Sequence, residues 1–78
     1  MEIKDLVYEI VKALVDSPEE VKVTEIKGEN TSVIELKVAP DDIGKIIGKK
    51  GRTAKAIRDI LSSASAKLNK RFIFEIIE

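Results

Sequence analysis

Residues 44–58 read GKIIGKKGRTAKAIR and place three glycines and six cationic side chains within fifteen positions. Glycines beside lysines are what an anion-binding turn requires. Backbone without a Cβ lets N–H groups approach phosphate oxygens, and lysines bring mobile positive charge to the same point. The phosphate loop of nucleoside-triphosphate enzymes requires G-x-x-x-x-G-K-[ST]. Counted from Gly44, the second glycine arrives one residue early, and Lys49 is followed by Lys50 rather than a hydroxyl residue. The dinucleotide pattern G-x-G-x-x-G fails as well, because the spacing is G-x-x-x-G-x-x-G. What remains is Gly48-Lys49-Lys50-Gly51 between two helical stretches. That is either a clamp on a phosphodiester backbone or a plain turn closed by a C-capping glycine.

Other chemistries are largely excluded by composition. The chain has no Cys and no His, so thiol nucleophiles, Cys/His metal clusters and histidine-based triads are unavailable. Asp41 and Asp42 are paired carboxylates, but neighbouring helical positions point about 100° apart, and helix capping accounts for both. The expectation is a non-enzymatic protein with no metal and no cofactor.

Net charge is zero over 14 basic and 14 acidic residues, but the signs are segregated. Residues 1–44 carry five Lys against eleven Asp or Glu, net −6; residues 45–71 carry nine Lys or Arg against Asp59 alone, net +8. A one-sided basic zone is the footprint of a polyanion binder. No stretch approaches the ~18 apolar residues of a membrane span, and MEIKDLVYEI lacks the features of a signal peptide. Both point to a cytoplasmic protein.

Seventy-eight residues allow one domain, residues 1–78. Ile3, Leu6, Val7, Ile10, Val11, Leu14 and Val15 recur at helical spacing and predict a first helix over 2–16, stopped at Asp16-Ser17-Pro18. Strands follow over 20–28 and 31–39, joined by a turn at Gly28-Glu29-Asn30-Thr31. A parity shift at Ile26 reads as a bulge. Pro40 opens a short helix with an aspartate cap, ending at Gly48 in left-handed conformation. A long helix over 52–68 turns Ala54, Ile57, Ile60, Leu61, Ala64 and Leu68 inward and Arg52, Lys55 and Arg58 outward. A last strand spans 71–77, with Phe72, Phe74 and Ile76 on one face. The order α-β-β-α-α-β is an α+β domain with helices on one face of a three-stranded mixed sheet.

The run Ile46-Ile47-Gly48-Lys49-Lys50-Gly51-Arg52-Thr53-Ala54-Lys55-Ala56-Ile57 resembles the KH-domain signature [VI]-I-G-x-x-G-x-x-[IA]-K-x-I. The element order resembles the type II form of that fold, and the likeness covers essentially the whole chain. More narrowly, it is similar to the small stand-alone bacterial KH proteins of the KhpA group, departing from them at Thr53, where an aliphatic residue is expected. The resemblance implies a clamp on the backbone of about four nucleotides of single-stranded RNA at Gly48, Lys49, Lys50 and Gly51. Arg52, Lys55 and Lys45 would assist, and a β edge with the loop after the long helix, Asn69, Lys70 and Arg71, would form the opposite wall of the groove. Ile43 and Ile47 are either the apolar floor for bases or core, and Ile46 is read as core. Arg58 is read as a further contact or a partner of Asp59 or Asp41. The same resemblance implies a KH-containing partner of the Jag/KhpB kind and a role as RNA chaperone or regulator touching cell division and wall synthesis; a homodimer is a further expected partner, since one groove on four nucleotides binds weakly alone.

Two alternatives remain open at this level. One is a DNA-reading helix–turn–helix, although residues 52–68 offer few side chains for base edges. The other is a protein-interaction module, favoured by Val33, Ile73 and Ile77 on the sheet face away from the helices.

Overall fold

In the computed structural model, which describes residues 2–77, the strand Thr31–Lys37 (β2) is the middle of a three-stranded sheet. Lys22–Lys27 (β1) pairs with it antiparallel and Arg71–Ile77 (β3) parallel. Its alternation decides the layering. Ser32, Ile34 and Leu36 are buried against the helices, while Val33 and Glu35 face the other way. A parallel neighbour requires a crossover connection. The helices Ile43–Ile47 (α2) and Arg52–Leu68 (α3) supply it between β2 and β3. The first helix, Ile3–Leu14 (α1), completes the helical layer and buries Val7 and Val11 at 2% and 0% exposure. Full burial of each valine is worth about 1.5–3 kcal/mol.

The core gathers Val7, Val11, Ile34, Leu36, Val38, Ile46, Ile57, Leu61 and Phe74. Leu61→Ala would remove a side chain that is 2% exposed in the middle of this cluster, at a cost of about 2–5 kcal/mol. The mixed sheet with helices on one face agrees with the fold read from the sequence, and α3 and β3 have the bounds expected of them.

Several expectations are corrected. The first helix stops at Leu14 rather than residue 16, because Val15 is already extended. Glu19 and Glu20 belong to a single 3-10 turn, Pro18–Glu20, so β1 begins only at Lys22. No bulge exists at Ile26, since the β1–β2 register runs one to one from Lys22↔Lys37 to Lys27↔Ser32. The parity shift arises because Glu25 faces the helical side and Ile26 faces outward, where it is 52% exposed beside Val33. β2 ends at Lys37, and Val38 and Ala39 are buried beyond it. On α3, Ala54, Ile57 and Leu61 are buried, but Ile60 and Leu68 are exposed at 43% and 55%. The buried stripe follows a strict three-and-four spacing, which leaves Ile60 on its shoulder.

The expected aspartate cap is also overturned, with a structural consequence. Pro40–Asp42 forms a 3-10 turn leading into α2, and neither element has a side-chain cap. Asp42 is 2% exposed, and its carboxylate accepts the backbone N–H groups of Asp16 (3.1 Å) and Ser17 (3.0 Å). It therefore ties the chain leaving α1 to the start of α2, through hydrogen bonds strengthened by the carboxylate charge.

Candidate nucleic-acid interface

The Gly48–Gly51 loop is built from backbone conformations that side chains rarely adopt. Gly48 has φ 77° and ψ 171°, Lys50 φ 58° and ψ 26°, and Gly51 φ 74° and ψ 14°. Gly48 thus has the expected positive φ but an extended ψ, in a region that is essentially glycine's alone. Its N–H donates to the Gly44 carbonyl at 2.8 Å and closes α2, and the Gly51 N–H donates to the Gly48 carbonyl at 3.1 Å. A Cβ on Gly48 would strike the Thr53 side chain and lie 2.8 Å from its backbone nitrogen. A Cβ on Gly51 would meet nothing within 4 Å. One glycine is therefore enforced by packing; the other leaves open space in front of the loop.

Lys49 and Lys50 are both exposed on this loop. The first turn of a helix has N–H groups without partners inside the helix, and no side chain caps those of α3. Of the groups at this end, the Arg52 N–H is already paired with the Lys49 carbonyl, so what the start of α3 offers an anion is the positive end of its dipole beside two exposed lysines. Ile47, 42% exposed, sits immediately before the loop, while Ile46 is fully buried. Ile43 is half-buried and packs against the core. Of the two isoleucines left undecided by sequence, Ile47 has the accessible surface.

The cations differ in how free they are. Among the described residues, Lys49, Lys50, Arg52, Arg58, Lys70 and Arg71 take part in no ion pair. Lys55 pairs with Asp59 at 2.9 Å, but both are largely exposed, so the pair is weak and easily exchanged. Lys45 pairs with Asp16 at 3.1 Å. A hydrogen bond from Asp16, then its charge and those of Asp42 and Asp41, hold the Lys45 ammonium above its ordinary pKa of 10.5. Lys45 is thus turned toward the acidic end of α1.

Arg58 makes an ion pair with neither Asp59 nor Asp41, the two carboxylate partners the sequence offered. Asp59 is taken by Lys55, and the Arg58 guanidinium instead lies 5.6 Å from the centre of the Phe74 ring. Helical spacing placed Arg58 on the outer side of α3 but carried no information about which strand it would meet. Arg58 with Leu61, Ser62 and Ser65 forms one wall of a cavity of about 380 Å³, and Arg71 to Phe74 form the other.

β3 is an edge strand. The Arg71 N–H donates inward to Asn30 (3.0 Å), whereas the Phe72 N–H points outward and donates to the Ser65 hydroxyl (3.1 Å). Backbone groups alternate along a strand, so those of Phe74 and Ile76 also face the open edge. The groove therefore has α3 with Arg58 on one side and, on the other, the outer edge of β3, whose Phe72 N–H is met by Ser65. Lys70 and Arg71 sit at the far end of α3 from the loop, about 25 Å away at the helical rise. Arg71 opens β3, so the two lie at the end of that edge strand farthest from the loop.

Among the described residues no cluster of acidic groups could hold a metal, and no helix is long and apolar enough to cross a membrane. The family model described as KhpA/KhpB, KH domain, matches residues 4–76. The RNA-binding protein KhpA of Clostridium acetobutylicum is 55% identical over 95% of this chain and 99% of its own length. That of Caldanaerobacter subterraneus subsp. tengcongensis is 56% identical over 94% and 97%, and that of Chlamydia trachomatis 53% over 96% of each. Among solved structures, Aquifex aeolicus Era superposes with a TM-score of 0.61 at 24% identity. This covers 95% of the chain but only 29% of Era. Era in complex with a stretch of 16S ribosomal RNA gives 0.62 at the same identity, covering 28% of that protein. At this identity the likeness concerns the fold.

Proposed function

The chain belongs to the KhpA/KhpB family of KH domains, and from that premise we propose that residues 1–78 act as one KH domain binding single-stranded RNA without enzymatic chemistry. The carrying observation is the Gly48–Gly51 loop. Three of its residues have positive φ, Gly51 leaves open space in front, two exposed lysines stand between the glycines, and the start of α3, with no side-chain cap, follows directly. Phosphates would dock at Lys49, Lys50 and the first turn of α3, with Arg52 and Lys55 following along the helix. Bases would then lie against Ile47 and the Arg58–Phe74 cavity, with the open edge of β3 as hydrogen-bonding wall. The relatives' shared name, RNA-binding protein, supports the same polyanion. Binding through one small groove is weak, so a second KH-containing chain of the KhpB kind, or a second copy, would raise affinity by avidity. By family resemblance, we assign the protein to the cytoplasm as an RNA chaperone or regulator linked to cell division and wall synthesis.

A row of apolar side chains supports protein contact as an additional role. Ile26, Val33 and Ile73 are directly opposite one another on the sheet face without helices, and Ile73 and Ile77 are 36% and 39% exposed.

Fluorescence anisotropy with labelled single-stranded RNA and duplex DNA tests the main reading. RNA should bind tighter. With about three phosphates engaged, the slope of log affinity against log salt should be near −2, from about −0.7 per phosphate. Replacing Lys49 and Lys50 together by Asp should abolish binding with an unchanged circular dichroism spectrum. Undiminished RNA affinity in that variant would remove the clamp assignment.

A further inference from the structure

We propose that the outer edge of β1, beside α1, is a docking site for an extended peptide segment of a partner protein. The segment carries an apolar side chain and, two residues away, a basic one. The site is independent of the RNA reading above, whose groove lies along the opposite edge of the sheet, at β3. The β1–β2 hairpin decides which backbone groups of β1 are free. The Gly28 N–H donates to the Thr31 carbonyl at 2.7 Å, so these two residues form a hydrogen-bonded pair. Such pairs alternate along an antiparallel ladder, and the register is one to one. Ile26, Thr24 and Lys22 therefore turn their backbone groups to β2, while Lys27, Glu25 and Val23 turn theirs outward. Among the described residues, no side chain meets those three outward N–H groups. Neither a bulge nor a proline blunts the edge. From Val23 to Lys27 it runs about 14 Å at the strand rise. Free donors and acceptors in such a row are what an added strand pairs with.

α1 overhangs this edge. Lys4, Asp5 and Tyr8 of α1, with Val21, Lys22 and Val23, line a cavity of about 300 Å³. No residue of β2, β3 or α3 lines it, which places it on the outer side of β1. Side chains of an added strand alternate between the two faces of the sheet. Val23 is paired with the buried Leu36, so both face the helices. The added side chain opposite Val23 faces the same way and enters the cavity. Tyr8, Val21 and Val23 are half-buried there and offer it apolar surface. Lys4 and Lys22, in no ion pair among the described residues, make the cavity unsuited to a cation.

Charge sets the next position on the same face. Glu25 is paired with the buried Ile34 and so also faces the helical layer. It is half-buried and in no ion pair among the described residues. An added strand places a side chain directly beside it, and opposite charges across a ladder attract, so a lysine or arginine belongs there. The surrounding field has the same preference, since residues 1–44 are net −6. That field repels a nucleic acid from this edge. Two demands thus fall two residues apart, an uncharged apolar group at Val23 and a cation at Glu25. An extended strand presents side chains on one face at that spacing, and a helix does not.

The test is an NMR titration of the isotope-labelled full chain with capped pentapeptides of threonine that carry valine at one even position and lysine at the other. Both orders are used, and the tighter one reports the strand direction. Peptide at up to about 5 mM reads a Kd of about 1 mM. Shifts are expected at the Val23, Glu25 and Lys27 amides and none at Gly48–Gly51. Glutamate in place of the peptide lysine should weaken binding about threefold, as should Glu25→Gln in the protein. Glu25→Pro should lose about a further fivefold, because proline at an outward edge position keeps the ladder but removes a donor. If circular dichroism shows that variant to be misfolded, the N-methylated peptide on wild type takes its place, and retained binding overturns strand addition. The proposal is also overturned by no shift at the highest concentration, by equal binding of the glutamate peptide, or by equal binding of the glutamine and proline variants. Shifts centred on the Gly48–Gly51 loop overturn it too. Concentration-dependent shifts of the same three amides without peptide assign the edge to a second copy and overturn the peptide.

Discussion

Gly48 and Thr53 lie so close that a Cβ on the glycine would collide with the threonine side chain and reach within 2.8 Å of its backbone nitrogen. Gly51, three residues on, faces open space. The two glycines of the loop therefore fail in different ways. Gly48→Ala meets both a steric block and a backbone region that side chains avoid, and should lower stability by more than about 3 kcal/mol. Gly51→Ala carries only the left-handed penalty of about 1–2 kcal/mol. Thermal melts of both variants check this, and equal losses would contradict the packing difference.

Asp42 should prove the costliest carboxylate to remove. Hydrogen bonds to charged groups contribute about 1.5–3 kcal/mol, and Asp42 accepts two from backbone. Asp42→Ala should cost about 3 kcal/mol, a fall in Tm of some 12–25 °C for a domain this small. Asp42→Asn, with one acceptor oxygen, should lie between. A melting point for the alanine variant within a few degrees of the parent would show that the tie between α1 and α2 contributes little.

These two sites mark where the sequence stops being legible. Gly48 as a helix stop, the bounds of α3 and β3, and the inward faces of β2 and β3 all follow from local periodicity and turn chemistry. Asp42 does not, because its partners are 25 and 26 residues upstream and any aspartate after a proline reads as a cap. The neighbour of Arg58 escapes local reading for the same reason. Sequence offered Asp59 next door, whereas the packing of α3 on β3 brings Phe74 under its guanidinium. Ile26 misled in another way, since an outward isoleucine on an exposed sheet face imitates a bulge when strict amphipathic alternation is assumed. The loop, its lysines and a β edge across from them are readable from the motif and its resemblance; the partners of each cation depend on tertiary contacts.

Lys45 should behave as a cation held by Asp16. Its folded pKa lies above the ordinary lysine value. The stability it contributes is therefore fully present below that value and is lost only as pH rises through the higher folded one. From about pH 6 to 9 its charge should not change with pH. In an alkaline NMR titration its side-chain signals should move later than those of unpaired lysines, and Asp16→Asn should return them to the ordinary range. The same variant removes an anion beside the basic zone and should raise RNA affinity modestly. Unchanged titration in Asp16→Asn would detach Lys45 from that carboxylate.

Ser32 is fully buried on the core face of β2, and its hydroxyl has no partner among the described residues. An unsatisfied buried hydroxyl costs about 1–3 kcal/mol. Ser32→Ala should therefore raise stability by about 1 kcal/mol, or Tm by about 4–8 °C. A clear fall in Tm would mean that the hydroxyl is satisfied in solution.

Ser65 joins the two walls of the groove, and its removal should act on β3 from a distance in sequence. The hydroxyl donates back to the Leu61 carbonyl one turn earlier and accepts from the outward N–H of Phe72. Bonding to the i−4 carbonyl leaves its oxygen lone pairs facing the strand, so a helix side chain substitutes for the missing neighbour of an edge strand. Ser65→Ala should cost about 1–2 kcal/mol, since the Phe72 N–H loses its acceptor in a partly buried place. Amide hydrogen exchange gives the specific signature: Phe72 should exchange at least about tenfold faster, as loss of ~1.4 kcal/mol of protection requires, while Ile73, bonded toward β2, should change only by the global loss. Ser65→Thr keeps the hydroxyl and should restore protection at Phe72. If the alanine variant leaves Phe72 exchange at the parental rate, the start of β3 is held by the Arg71–Asn30 bond alone, and Ser65 has no part in shaping the groove edge.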